Sequence, residues 1–527
     1  MATPARFDCI VIGSGSSGVA AATALLKAGR SVHMIDPGIT LEKDRADALE
    51  VAKRAGPLTV ANAPWVKEEA ASKAKIPRKL LFGSDFPFQQ APERLHLDSR
   101  GVGAEPSFAL GGFSNIWGAS ALPFAAFDTG DWPVTQDELA PHYEACAELL
   151  GLACEEDDLA EWLPLYRKPN GQLKASRQAT TMLETLRTNR DALRSAGIRF
   201  GRARVAAKAS GPTPCTYCGL CLHGCPDRLI YSANDTLAAL KAHPRFSYRA
   251  GVVVETVSET EGGAKAHATD LDSGAPIELE ADRLFVAAGA MSTTGLLLRS
   301  SQSYGKAVKI KDAQYFLLPL AMFKGAGKTR EEKLHTMAQL FLELRDPEIS
   351  PYTIHLQVYT YNSVLARTVR NKLGPLLEPA ARWGDAHFVL IQGYLHSDHS
   401  GEIEMTLEKG EGGETLKARG VTRPETRTKI KAVAGKLMKL AMKTGAVPLT
   451  PLMEVSDPGR GFHHGGSFPM SARPGEFETD TLGRPFGWKR IHVVDATVLP
   501  SVPATTITYP VMANAHRIAT LAAGGNA

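Results

Sequence analysis

The stretch from Asp8 to Asp36 constrains this chain more than any other. Asp8 to Ile12 is a short apolar run closed by glycine, which predicts a buried parallel strand. Ser16 to Ala28 is rich in Ala and Leu and predicts a helix, and Ser31 to Ile35 predicts a second strand. Between the first strand and the helix stands Gly13-x-Gly15-x-x-Gly18, and Asp36 ends the second strand. Each residue type has a physical task. Gly13 permits the tight turn, Gly15 lets backbone approach a pyrophosphate, and Gly18 lets helix and strand pack closely. The helix, opened by Ser16, then turns its N-terminus toward the phosphates, and Asp36 can accept hydrogen bonds from ribose hydroxyls. The unit predicts a bound dinucleotide and does not by itself separate NAD from FAD.

Bulk properties leave that reading room. A chain of 527 residues implies two to four domains, any of which can be discontinuous. Basic and acidic residues nearly balance at 60 and 56, and no basic run is interleaved with aromatics, so nucleic acid is not an expected partner. The N-terminus lacks the features of a secretion signal, and no run of ~18 uncharged apolar residues is present. A soluble protein of the cytoplasm is expected.

Further along, Leu41 to Ala74 reads as helical or irregular and Pro87 to Pro106 as mostly loop. Trp132 to Leu150, introduced by Pro133, and Gln178 to Ser195 predict amphipathic helices. Arg249 to Val257 predicts a strand, Lys265 to Glu280 a hairpin about Asp272-Ser273-Gly274, and Leu284 to Ala288 a buried strand. Alternation in Gln314 to Phe323, Gln339 to Leu344, Thr353 to Thr360, His387 to Leu395 and Glu402 to Leu407 predicts one antiparallel sheet. Pro424 to Thr444 predicts a long basic helix, Ile491 to Val494 a last strand and Thr508 to Ala523 a closing helix.

Three further segments resemble the glucose–methanol–choline oxidoreductases. Gly111-Gly112-Phe113-Ser114-Asn115-Ile116-Trp117-Gly118 is similar to that family's Gly-Gly flavin segment, and Trp117 resembles the pyranose-oxidase and FAD-dependent sugar-dehydrogenase branch. Phe285-Val286-Ala287-Ala288-Gly289-Ala290 is similar to the strand and glycine that close the family's FAD domain. Val494-Asp495-Ala496 resembles its C-terminal motif, which places an Asp near the FAD pyrophosphate, and Asp131-Trp132-Pro133 with the following helix matches as well. The resemblance implies an α/β fold with a Rossmann-like FAD-binding domain and a substrate domain built on an antiparallel sheet with helices. The FAD domain is expected over 1–125, 210–300 and 456–527, and the substrate domain over 126–209 and 301–455. It implies FAD contacts at Gly112, Ser114, Asn115, Trp117, Val253, Ala288, Gly289, Asp495 and Ala496. The covalent-flavin histidine of some members falls at Ile116 here, so the FAD is expected to be non-covalent.

Alcohol oxidation by hydride transfer needs a base for the hydroxyl proton, and histidine suits it best near neutral pH. Phe462-His463-His464-Gly465-Gly466-Ser467-Phe468-Pro469-Met470 resembles the family's His-x-x-Gly-(Thr/Ser)-x-x-Met motif, which makes His463 the base. The family's second partner, His or Asn, is replaced in register by Thr506, which can donate a hydrogen bond to a substrate oxygen. Thr505, Tyr509 and Asn514 are close enough in sequence to compensate.

Cys215-x-x-Cys218-x-x-Cys221-x-x-x-Cys225-Pro226, within a loop over 212–228, has the ferredoxin-type spacing for an iron–sulfur cluster. Either all four thiolates hold a [4Fe–4S] core, the favoured form, or three hold [3Fe–4S]. A metal-free loop and zinc are the other readings. A cluster would pass electrons singly to an acceptor protein or quinone and make the enzyme a dehydrogenase. Within 362–383, Leu365, Val369, Leu373 and Leu376 recur at helical spacing among Arg367, Arg370 and Lys372. This reads as a helix packed on its own domain or subunit, or as one docked on a membrane surface. The expected function is FAD-dependent oxidation of a CH–OH group of a sugar or sugar derivative. The competing readings are an oxidase of a sterol or long-chain alcohol, flavin-dependent sugar epimerisation through a transient ketone, and a non-catalytic electron-transfer or redox-sensing flavoprotein.

Overall fold

Strands buried on both faces are largely apolar, and two such strands, Phe7–Ile12 and Val32–Ile35, lie inside the first sheet of the computed structural model, which describes residues 7–69, 79–362 and 378–524. The order is Phe246–Arg249, Val32–Ile35, Phe7–Ile12, Pro276–Val286, Ala264–Asp270 and Val252–Glu259, with Ile491–Val493 also paired to Pro276–Val286. The strands from Phe246–Arg249 to Pro276–Val286, and Ile491–Val493, run parallel, whereas Ala264–Asp270 and Val252–Glu259 are antiparallel. The expected strand Arg249 to Val257 is two strands, because Gly251 at φ +75 turns the chain between them. The helix Ser16–Lys27 is almost wholly buried and packs on the closing helix Thr508–Ala522. That helix also packs on Gln136–Leu150, which is started by a capping box of Thr135 and Glu138.

The second sheet is antiparallel, in the order Ala446–Pro448, Tyr315–Met322, Phe388–Tyr394, Ser350–Tyr359, Leu340–Asp346 and Ile198–Arg202, with Glu454–Val455 also paired to Tyr315–Met322. Successive residues of a strand face opposite sides. Leu318, Leu342, Ile354, Leu356, Val358 and Ile391 turn to an apolar core shared with the helices Arg177–Thr188 and Pro424–Lys439. The other face carries Glu343, His355, Gln357, Tyr359, Gln392 and Tyr394. Arg177–Thr188 and Arg190–Ser195 are separate helices, not the continuous one the sequence predicts, with Asn189 between them.

The single antiparallel sheet expected from the alternating strands is corrected in one respect. Glu402–Gly410 belongs to a third sheet, in the order His464–Gly465, Ala307–Asp312, Glu402–Gly410, Gly413–Val421 and Leu97–Arg100. The inward residues Val308, Ile310, Ile403, Met405 and Leu416 join the core of the first sheet. Alternation reports which strands have one buried face, not which sheet they join.

Candidate active site

The turn after the first strand has the geometry that its glycines imply. Gly13 sits at φ +104, and a Cβ there would collide with the carbonyl oxygen of Ala287. A Cβ on Gly18 would strike the Gly13 carbonyl, whereas Gly15 has nothing within 4 Å of that position. The bare backbone at Gly15 therefore faces open space at the head of the helix, where N–H groups favour an anion. Asp36 departs from expectation. One carboxylate oxygen accepts from the backbone N–H of Ser14 (3.1 Å) and from its hydroxyl, and the other from the hydroxyl of Tyr248 (2.6 Å). The Ser14 oxygen in turn accepts from Gly111 N (2.9 Å). Asp36 thus braces the glycine turn as well as lining the cavity beside it. Burial pushes its carboxyl up.

One cavity of about 490 Å³ runs from this turn to the polar face of the second sheet. Gly13, Gly15, Ser16 and Asp36 line one end, and Gly112, Ser114, Trp117, Val253, Ala288 and Gly289 its middle, with Asp495 and Ala496. Asp495 accepts from Gly289 N (2.9 Å), the Thr293 hydroxyl (2.5 Å) and Thr497 N (3.0 Å), so it ties the last strand's exit to the turn after Pro276–Val286. Asn115 is a correction, since it does not line the cavity. Its amide donates to the carbonyls of Leu110 (2.8 Å) and Gly112 (2.7 Å) and its oxygen accepts from Asn234, so it shapes the loop from behind. Glycines where side chains would collide, an open helix N-terminus and a cavity at the carboxyl ends of parallel strands fit FAD.

At the far end stand His463 and Thr506. The edge of the third sheet places His463: the neighbouring His464 pairs with Asp312, and Ala313 N donates to the His463 carbonyl (2.8 Å). Its ring stacks on Tyr394 with centroids 4.5 Å apart. Burial, then the nearby His355 and His464, push its pKa down to about 3, so the ring is neutral across the ordinary working range. Among the described residues no group bonds its Nδ1. Thr506 Oγ1 accepts from Leu122 N (3.0 Å), which leaves the hydroxyl proton free to be donated. Thr505, Tyr509 and Asn514 do not compensate for the missing second partner. Tyr509 donates to the Tyr143 carbonyl (2.7 Å), Asn514 accepts from Arg517, and none of the three lines the cavity.

Sequence reasoning missed the wall opposite the turn: Tyr315, Gln357, Tyr359, Gln392, Tyr394 and Arg460, with the aromatic group Phe88, Phe113 and Phe462. A signal was present. In Ser350–Tyr359, polar Thr353, His355, Gln357 and Tyr359 alternate with apolar Ile354, Leu356 and Val358.

The cysteine run is partly buried and all four thiols are free. Burial raises Cys215 and Cys225 and pushes Cys221 up to about 12, and the thiols lie near enough to raise one another further. Cys215 and Cys221 pack in one apolar cluster and Cys218 in another with Trp65, while Cys225 Sγ accepts from Leu229 N (3.3 Å). Among the described residues no three His, Cys, Asp or Glu side chains gather closely enough to hold one metal ion, so the arrangement of the thiols supports neither zinc nor the expected iron–sulfur cluster. Of the segment 362–383, residues 363–377 lie outside the described residues. No helix among the described residues is long and apolar enough to cross a membrane.

Comparison with known proteins agrees with this geometry. Residues 424–515 match the family model described as GMC oxidoreductase, and this segment contains both His463 and Thr506. The chain is 26% identical over 314 residues to 6'''-hydroxyparomomycin C oxidase of Streptomyces lividus, a match covering 56% of this chain and 51% of that protein. It thus spans about half the length of that curated relative. Its fold matches the crystal structure of pyridoxine 4-oxidase from Mesorbium loti with a TM-score of 0.59 and 14% identity, over 98% of this chain and 99% of that one. Its C-terminal segment is thus similar to the GMC oxidoreductases, and its fold is shared over nearly its whole length with the pyridoxine 4-oxidase structure.

Proposed function

We propose that this protein binds FAD non-covalently and oxidises a CH–OH group of a sugar or sugar derivative, with His463 as the base. The observation that carries the reading is the single cavity joining the glycine turn to His463 and Thr506. FAD bound along it supplies the two-electron acceptor for the carbinol hydride. The chain's own residues do the rest. Thr506, its oxygen engaged by Leu122, donates its proton to the substrate oxygen and orients it. His463, neutral and stacked on Tyr394, accepts the hydroxyl proton. Phe88, Phe113 and Phe462 supply apolar surface that excludes water from the site. The test is anaerobic reduction of the yellow holoenzyme by a panel of sugars and alcohols that includes the relatives' named compounds, 6'''-hydroxyparomomycin C and pyridoxine. Bleaching by a carbohydrate supports the reading. A colourless protein that cannot be reconstituted with FAD ends it.

Two readings of the electron acceptor rest on different observations. The spacing of Cys215, Cys218, Cys221 and Cys225 is the one feature that favours exit through an iron–sulfur cluster to an acceptor protein or quinone, hence a dehydrogenase, and the described thiols are not gathered to hold a metal. The two relatives are oxidases by name, which favours oxygen. Iron and sulfide in anaerobically purified protein, with no peroxide formed in air, select the first. Peroxide from an iron-free enzyme selects the second.

A further inference from the structure

A chain of side-chain hydrogen bonds runs behind the cavity wall, and the reaction as proposed does not use its inner members. It lies on the polar face of the second sheet. Glu343 and His355 are cross-strand partners, and Gln357 and Tyr359 follow His355 at two-residue steps. Both Glu343 and His355 side chains are wholly buried, with Oε1 and Nδ1 2.7 Å apart. A carboxylate only accepts, so His355 Nδ1 donates. The other ring nitrogen, Nε2, lies 3.0 Å from the Gln357 amide nitrogen, which has only protons to offer and therefore donates to it. This turns the Gln357 oxygen the other way, where it accepts from the Tyr359 hydroxyl (3.0 Å) and the Ser120 hydroxyl (3.5 Å). Every donor in the chain points toward Glu343. Gln357, Tyr359 and Ser120 line the cavity, and Glu343 and His355 do not.

A buried carboxylate held by a neutral imidazole adds little to stability relative to apolar residues of the same size, because the charge must be desolvated. Its effect here is on polarity. We propose that Glu343 and His355 are positioning residues that fix the hydrogen-bond direction of the substrate wall, so that Tyr359 and Ser120 spend their protons on Gln357 and offer only lone pairs to the cavity. Resting on the reading of the site as a CH–OH oxidoreductase, this assigns the substrate class: a polyhydroxylated compound that brings at least one hydroxyl donor to this wall besides the hydroxyl being oxidised. Reversal of the chain would turn these two hydroxyls into donors and remove that selection.

Two measurements on the holoenzyme test this. The first is nitrogen-15 NMR of protein labelled at histidine, with the His355 resonances assigned by their loss in His355→Phe. The proposal expects His355 protonated at Nδ1 and bare at Nε2 in the native chain. In Glu343→Gln the amide can offer either an acceptor or a donor to Nδ1, so the fixed protonation at Nδ1 is expected to give way to a mixture of the two tautomers. A proton already on Nε2 in the native chain overturns the proposal. The second is the anaerobic rate of flavin reduction by D-glucose, D-xylose and myo-inositol against 1-butanol, cyclohexanol and benzyl alcohol. The best polyol should exceed the best mono-alcohol in kcat/KM by about tenfold or more, the scale of one well-made hydrogen bond. Tyr359→Phe and Glu343→Gln should each collapse that ratio toward one, chiefly through KM, and the double variant should do no more than either alone. Equal preference in the native enzyme, or a loss shared alike by both alcohol classes in the variants, overturns it. Tyr359→Phe keeps the test decisive if Glu343→Gln does not fold. If no alcohol reduces the flavin, the reading of the site fails while the NMR result still decides the direction of the chain.

Discussion

His463 is bound on one side by the sheet edge at Asp312 and Ala313 and on the other by the Tyr394 ring, so truncating it should change chemistry more than structure. His463→Ala is expected to lower kcat/KM by about 10²–10⁴, the usual worth of a general base, with FAD content unchanged. Because the ring's pKa is depressed, the acid side of the pH–rate profile should show no fall between pH 8 and 5 that is traceable to this residue. A loss centred near the ordinary histidine value would assign the base elsewhere. Asp312 gives a stability counterpart. It is fully buried, one carboxyl oxygen accepts from Gly459 N (2.8 Å), and the other has no partner among the described residues. Burial raises its pKa from 3.8 to about 7. Between those values the folded chain holds a proton that the unfolded chain has released, so stability falls as pH rises through this window and levels off above it. Asp312→Asn keeps an acceptor for Gly459 and removes the titration. Its thermal midpoint should match the native protein near pH 4 and exceed it at pH 8, measured by differential scanning calorimetry with FAD bound.

At the scale of elements, the glycine turn separates folding from binding. Gly13 occupies a left-handed conformation against the Ala287 carbonyl, whereas Gly15 is at φ −65 with open space where a methyl would go. Gly15→Ala is therefore expected to fold with a midpoint near that of the native apoprotein and to lose FAD affinity by tenfold or more, because the methyl enters the cavity. Gly13→Ala should lose stability before binding can be assessed. Comparison of apoprotein melting with FAD titration checks both, and a Gly15→Ala protein that binds FAD normally would remove the turn from the cofactor site. The parallel unit and the glycine turns beside the cavity were legible in the sequence because each depends on local backbone constraints that only certain residues satisfy. Asn115 was misjudged because its hydrogen bonds to Leu110, Gly112 and Asn234 depend on how the loop closes. The substrate wall was illegible for a related reason. Strand alternation gives the faces of Ser350–Tyr359 and Phe388–Tyr394, but only the register that sets His355 beside Tyr394 and Gln357 beside Gln392 makes one surface of them.

Across the whole molecule, the cavity is where three sheets meet. Its walls come from the carboxyl ends of the parallel strands, the polar face of the antiparallel sheet and the His463–His464 edge of the third. A ligand spanning these parts stabilises only the chain in which all are in place, and by mass action FAD at 100 times its dissociation constant adds about 2.7 kcal/mol. Two different cores border the cavity, one around the parallel strands and one behind the antiparallel sheet. If they melt separately without cofactor, the apoprotein should show two calorimetric transitions that FAD draws together. If they are already one cooperative unit, FAD should raise a single transition by a few degrees. Either way the midpoint must climb with the logarithm of FAD concentration, and Gly15→Ala, which leaves both cores intact, must move that climb to FAD concentrations at least tenfold higher. A midpoint that ignores FAD in the native chain would mean that the cofactor does not span the cavity, and the assignment of His463 as the base facing it would fall with it.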